Sequence, residues 1–425
     1  MLATRGDRSC RAALAWVVVG LAAGMAWALA AMPAAHAGDW AQFMGPGRNH
    51  ISTETGLRNT FAAQGPAVLW RANVGLGYSG VSIASGRAYT LGHKDGRETL
   101  FAFDALTGRT LWTHTYPAEL LPLFHTGGPN AAPTVQDGRV YSLSKDGQLH
   151  CVEADSGKPV WRVSLLEPMG LKEMTRWGFS SAPRFHEGRL YVFGSRVLAL
   201  EPATGKVAMA TSNVRESGYG SVEFFEHDGR KLMAALSGTE LVIYDSATGA
   251  EVATHPFPVE YNTNCITPMI VREDGRTTVF IAASNRTGRC EKLLFDGRAL
   301  TRVYVNEHMR NFMNNSVLLD GHLYGIDGKH KHRSTRLVCM RYRDGQVMWS
   351  QSGVGCGSVL AADGRLFVLT EDGRLLIAPV SPEAFKPTVQ ATVLTGTCWT
   401  PLSLANGLLY ARNEAGDVAC LDLRP

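Results

Sequence analysis

The chain lacks a Cys-Cys pair, a C-x-x-C and a C-x-x-C-H among its eight cysteines. A thioredoxin-like redox site and a c-type haem attachment are thereby excluded. P-loop, nucleophile-elbow and H-E-x-x-H patterns are missing too, which removes common local signatures of nucleotide hydrolysis, acyl transfer and zinc proteolysis. There is also little excess charge of either sign. The formal net charge is +4, and the first 37 residues carry +2 of it through Arg5, Arg8 and Arg11 against Asp7. No acidic tail or extended basic face is left, so nucleic acid is not an expected partner. Beyond residue 37 no stretch is apolar enough to span a membrane.

The one long apolar run lies at the start. Residues 12–32 are rich in Ala, Leu and Val, and Ala35-His36-Ala37 supplies small residues at both ends of an A-x-A site. This pattern predicts a secretory signal peptide over residues 1–37, removed before Gly38. An uncleaved anchor is the alternative, because the run is long enough to cross a bilayer. Cys10 precedes the run, whereas a lipid-anchored export signal needs its Cys where Gly38 stands. The expected location is periplasmic or secreted, with no membrane span after cleavage. Seven cysteines follow residue 37. An odd number in an exported chain implies a free thiol or an intermolecular bond.

Against these absences stands one repeated phrase: an acidic residue, small residues, Thr/Ser-Gly, then usually an apolar residue and Trp. The clearest copies are Asp104-Ala105-Leu106-Thr107-Gly108-Arg109-Thr110-Leu111-Trp112 and Glu153-Ala154-Asp155-Ser156-Gly157-Lys158-Pro159-Val160-Trp161. Weaker copies begin at Glu201, Asp245 and Arg343. A second marker is a Gly turn followed by an aromatic in an apolar run. That position holds Tyr89, Tyr141, Tyr191, Met233, Phe280, Tyr324, Phe367 and Tyr410, spaced 42 to 52 residues apart. Eight units of this length predict an all-β, eight-bladed β-propeller of four-stranded antiparallel blades. Asp-Gly and Thr-Gly supply the turns, since Gly accepts the positive φ of tight hairpins.

The last unit ends at Pro425 without a Thr-Gly…Trp strand. Its missing piece stands at the other end, as Val68-Leu69-Trp70-Arg71-Ala72. The N-terminal strand is therefore expected to complete the eighth blade and leave no open edge. The expected organisation is a signal peptide over 1–37, an extension over 38–65 and the propeller over 66–425.

The repeat resembles the tryptophan docking motif of pyrroloquinoline-quinone-type propellers. That group includes quinoprotein alcohol dehydrogenases and the propeller lipoprotein of bacterial outer-membrane assembly. Four further segments resemble a simpler set of exported propellers of this type. They are Asp39-Trp40-Ala41-Gln42-Phe43-Met44-Gly45-Pro46, Met309-Arg310-Asn311-Phe312, Gly321-His322-Leu323-Tyr324-Gly325 and Gly396-Thr397-Cys398-Trp399-Thr400-Pro401. The resemblance covers essentially the whole chain after residue 37. It departs from the dehydrogenases in lacking their vicinal Cys-Cys pair, and their Asp base and calcium-binding Glu/Asn set find no counterparts. It departs from the lipoprotein in lacking the anchoring Cys.

In a propeller, ligand sites gather where the innermost strands begin. One residue per blade falls there: Tyr78, Asn130, Ser180, Tyr219, Cys265, Asn314, Cys356 and Cys398. With their neighbours these suggest a mouth for a planar or anionic ligand. Arg176 and Arg310 are expected to pair carboxylates, and Trp177 and Trp399 to stack on a ring. Tyr219, Asn264 and Asn314 complete the cofactor candidates, and water-facing polar side chains are the alternative. Cys265, Cys356 and Cys398 share one repeat position and are the candidate ligands for a soft metal such as Cu(I); small inner-strand residues are the alternative. Cys151, Cys339 and Cys420 are expected to be small core residues of the third strands. The basic stretch from Lys329 to Arg333 is expected to be a solvated hairpin turn.

Two functions follow. The first is a binding or scaffolding module of the cell envelope, with a partner protein or envelope component on one face and no chemistry of its own. The second is a quinoprotein alcohol or sugar dehydrogenase with pyrroloquinoline quinone (PQQ) and calcium at the channel mouth.

Overall fold

A computed structural model describes residues 38–425 apart from Phe124, Asn285, Arg286, His330, Lys331 and Arg333. The expected signal peptide and part of the basic turn lie outside the described residues. The strands form eight four-stranded antiparallel sheets. The first blade is Ser82–Ala84, Arg87–Lys94, Arg97–Asp104 and Thr110–Pro117. Six blades repeat that order in sequence, and the eighth is Ser403–Ala405, Leu408–Arg412 and Asp417–Asp422. Its outer strand is Ala67–Asn73, paired antiparallel with Asp417–Asp422. The expected closure by the N-terminal strand is therefore present, and Trp70 faces Cys420 across it. The first strands of blades eight and one lie side by side and complete the ring. Among the described residues no helix is long and apolar enough to cross a membrane.

Local chemistry explains why each unit folds as a blade. In all eight first hairpins both turn residues have positive φ, as in Asp137-Gly138, Asp320-Gly321 and Asn406-Gly407. This is the mirror-image turn whose twist matches the flanking strands. The acidic residue of the Thr-Gly phrase builds the third turn. Asp104 Oδ1 accepts from the amides of Leu106 and Thr107 and from the Thr107 hydroxyl, at 3.2, 2.9 and 2.8 Å. Those bonds hold the Asp104 carboxyl below its ordinary range.

The tryptophans join blades. Trp70 Nε1 donates to Ala105 O at 3.0 Å, Trp112 Nε1 to Ala154 O, Trp161 Nε1 to Pro202 O and Trp349 Nε1 to Ser381 O, the last three at 2.9 Å. Each acceptor belongs to the next blade around the ring. In blade five Tyr304 takes this role, donating to Tyr342 O at 3.1 Å. The glycine of the phrase lies flat against the previous blade's ring. A Cβ on Gly157 would sit 2.5 Å from the Trp112 indole, at a φ of +70°.

Within a blade, the second-strand aromatic, a third-strand residue and the fourth-strand Trp lie in register. Tyr141 faces Cys151, which faces Trp161; Tyr324, Cys339 and Trp349 repeat this, and Tyr410, Cys420 and Trp70 do so in blade eight. A small side chain is needed between two large rings, which accounts for Cys151, Cys339 and Cys420. All three are buried free thiols, and burial pushes Cys151 and Cys339 up to about 11 and Cys420 to about 12.

Residues 38–58 form a strap over the end of the channel where the first hairpins turn. Trp40 bridges Ile83 of blade one, Ala41 O accepts from Val135 N of blade two at 2.8 Å, and Gln42 accepts from Arg184 of blade three at 2.6 Å. Arg48 reaches blade four, where its Nε meets Glu223 at 3.2 Å. The strap then crosses to blade seven, where His50 and Ser52 bond Ala361 at 2.9 and 2.8 Å. Glu54 finally caps the Asn406 and Gly407 amides of blade eight at 2.7 and 2.6 Å. Blades four and eight are opposite one another, so the strap passes over the channel axis.

Candidate functional site: an aromatic cavity at the channel mouth

At the other end of the channel lies a cavity of about 400 Å³. Its walls come from the segments that lead into the first strands. Tyr78 enters blade one, Asn130 blade two, Trp177 and Ser180 blade three, Tyr219 blade four, Cys265 blade five, Asn314 blade six and Trp399 blade eight. Phe312 and Met313 add apolar surface, and Tyr261 and Lys329 stand at the rim. Phe43 reaches the cavity from the strap. The strap thus contributes one aromatic side chain to the cavity at the end away from the mouth.

Hydrogen bonds between blades hold these segments in place. Asn130 Nδ2 donates to Trp177 O at 3.2 Å, Ser180 Oγ to Tyr219 O at 2.9 Å, and Tyr219 N to Asn264 O at 2.9 Å. Asn314 Nδ2 donates to both Gly357 O and Trp399 O at 3.0 Å. Tyr78 stacks on Trp399 with centroids 5.3 Å apart, and Trp399 Nε1 donates to Glu371 at 2.9 Å. Such a cavity is preformed, and its aromatic faces suit a flat or apolar group.

The structure sorts the residues expected from sequence. Trp177, Tyr219, Asn314 and Trp399 meet at the cavity, and so does Cys265. Arg176 stands just outside, its guanidinium 5.4 Å from the Trp177 ring and 5.5 Å from Tyr261. Asn264 is fully buried beneath the mouth, donating to Ser237 O at 2.7 Å. Arg310, expected to pair a ligand carboxylate, instead grips Asp327 through Nε at 2.9 Å and a terminal nitrogen at 3.1 Å. Cys356 and Cys398 are buried away from the lining. Burial pushes the Cys265 and Cys398 thiols up to about 12 and Cys356 higher still. Among the described residues no group of three or more His, Cys, Asp or Glu could hold a metal.

Sequence reasoning missed Phe43, Tyr261, Phe312 and Met313. Phe43 and Phe312 sit within two of the segments that carry the family resemblance, which was the available signal. Tyr261 has a φ of +61° and Asn262 one of +53°. A left-handed backbone is costly for a tyrosine, and the Arg176 stack sits against its ring.

Residues 96–351 match the family model described as outer membrane protein assembly factor BamB. The chain belongs to this family. It is also 32% identical over 117 residues to the dehydrogenase subunit of quinone alcohol dehydrogenase from Komagataeibacter europaeus. That stretch is 25% of this chain and only 16% of the relative. Among solved structures, BamB from Moraxella catarrhalis is 16% identical with a TM-score of 0.56, covering 84% of this chain and 97% of that one. Quinohemoprotein alcohol dehydrogenase from Comamonas testosteroni is 13% identical with a TM-score of 0.65, covering 91% and 80%. At these identities the structural likeness establishes the propeller fold.

A quinone held together with calcium requires several oxygen ligands converging on the cation. Among the described residues the cavity lining contains no Asp or Glu. Its buried amide Asn314 directs Nδ2 to backbone carbonyls and leaves a single oxygen, Oδ1, without a partner. Tyr78 and Tyr219, both pushed up to about 12 chiefly by burial, stay neutral. The aromatic faces suit a flat ring, but the donor set does not fit a calcium–quinone pair.

Proposed function

We propose that this chain is a binding propeller of the cell envelope that carries out no chemistry of its own. It would be exported by residues 1–37 and would engage a partner through the mouth face. One observation carries the reading: the cavity of about 400 Å³ is preformed and aromatic, yet among the described residues its lining holds no carboxylate to serve as base or cation ligand. The match to an outer membrane protein assembly factor supports an envelope role. The expected periplasmic or secreted location follows from the N-terminal pattern, and N-terminal sequencing of the exported protein tests cleavage before Gly38.

The competing reading is a PQQ-dependent dehydrogenase, favoured by the stretch 32% identical to a quinone alcohol dehydrogenase subunit and by the Trp177 and Trp399 faces. Thermal unfolding with added PQQ and calcium separates the two. The binding-module reading expects an unchanged melting temperature and no dye-linked alcohol oxidation. A raised melting temperature together with turnover would replace it by the dehydrogenase.

A further inference from the structure

The cations around the mouth are not equivalent. Arg310 is paired with Asp327 at 2.9 Å, and Arg215 with Glu240 at 2.8 Å and Glu251 at 2.9 Å. Arg176 and Lys329 differ. Both are exposed, and neither has a carboxylate within ion-pair distance among the described residues. Lys329 lines the aromatic cavity. Arg176 lines an adjoining groove of about 680 Å³ together with Lys172, Glu173 and Glu216, and Tyr219 and Tyr261 belong to both the groove and the cavity. Tyr261 is 59% exposed and projects at the boundary. On the loop that follows blade one, Leu123 is 55% exposed.

An apolar hole flanked by unpaired cations and continuous with a groove has a definite complement. From this geometry we infer that the mouth captures an acidic polypeptide segment carrying an aromatic side chain. The inference deepens the binding-module reading and rests on it. The aromatic side chain enters the cavity between Trp177 and the Tyr78–Trp399 stack. The chain on either side passes over Tyr261 at the rim, and its carboxylates face Arg176 and Lys329. Aromatic anchors in desolvated pockets dominate the energy of such contacts, while exposed charge pairs at the rim steer and select. A cation-seeking aromatic cage is the alternative use of such walls, but Arg176 and Lys329 oppose a cationic guest.

The test uses the full exported chain and a fluorescein-labelled peptide, Asp-Asp-Gly-Trp-Gly-Asp-Asp, read by anisotropy. Saturable one-to-one binding that weakens as salt rises is expected. The peptide with Ala for Trp should bind about thirtyfold more weakly, and the peptide with Lys for Asp about tenfold more weakly. The double variant Arg176→Glu/Lys329→Glu changes only exposed side chains. It should lose about tenfold for the acidic peptide and regain binding of the Lys peptide. Tyr261→Gly, which relieves the left-handed backbone, should weaken the Trp peptide while leaving the melting temperature unchanged or higher. Equal binding of the acidic and basic peptides, or indifference to the double charge reversal, overturns the inference. Failure of all peptides without any response to PQQ refutes this ligand class alone. Failure accompanied by quinone turnover refutes the binding-module reading beneath it.

Discussion

Replacing Trp70 with Ala should open the ring at its one seam between the chain's two ends. Trp70 is 7% exposed and docks its indole on blade one, with Nε1 3.0 Å from Ala105 O and the ring against Gly108. Phe103 and Tyr410 flank it with centroids 5.8 and 5.9 Å away. The hydrogen-bond part of the loss is small, because Ala105 O also accepts from Tyr410 at 3.0 Å and is not orphaned. The larger part is the cavity left by a buried indole, which costs about 3–5 kcal/mol in cores. Strand pairing by Ala67–Asn73 depends on that anchor, since the rest of the strand is largely exposed. Equilibrium urea unfolding of Trp70→Ala beside wild type measures the loss. A loss below about 1 kcal/mol would show that the seam does not hold the ring, and the role assigned to the Thr-Gly…Trp phrase would fall with it.

Three further outcomes follow from the same physics. Gly157→Ala should cost clearly more than Gly188→Ala, because both require positive φ but only the first meets a neighbour, the Trp112 ring 2.5 Å away. The open site should lose about 1–2 kcal/mol and the docked one more, so equal losses by urea unfolding would refute glycine's docking role. Glu98 is fully buried, and burial raises its carboxyl from 4.5 to about 7. The folded state then holds the proton more tightly than the unfolded chain, so this group's stabilisation is full below about pH 4.5 and is lost as pH rises through about 7. Glu98→Gln should flatten the stability–pH curve in that window, and an unchanged slope would contradict the assignment. Finally, the seven cysteines beyond residue 37 are all free. Denatured, unreduced protein starting at Gly38 should titrate seven thiols, and five or fewer would reveal a disulfide.

The architecture was legible because its determinants are local and repeated. Each Asp-Gly hairpin announces its own turn, and the fourth strand missing near Pro425 pointed to Trp70. The third-strand cysteines were legible for the same reason, since Ala102 and Ala199 hold that slot in other blades. The site was legible only in outline. Repeat position placed Tyr78, Tyr219 and Asn314 at the mouth, but it cannot say which side chains turn inward. Arg310 is taken up by Asp327, which ends the second strand of its blade, His322–Asp327. Phe43 enters the cavity from a strap that belongs to no repeat, held by non-local contacts such as Arg48 with Glu223. Contacts of that kind carry no periodic signal.

The most direct test of the whole account is a calorimetric titration of the full exported chain with PQQ in the presence of calcium. A mouth without a carboxylate set should give only heats of dilution. A saturating one-to-one heat that disappears on removing calcium would contradict the account and make the channel mouth a cofactor site.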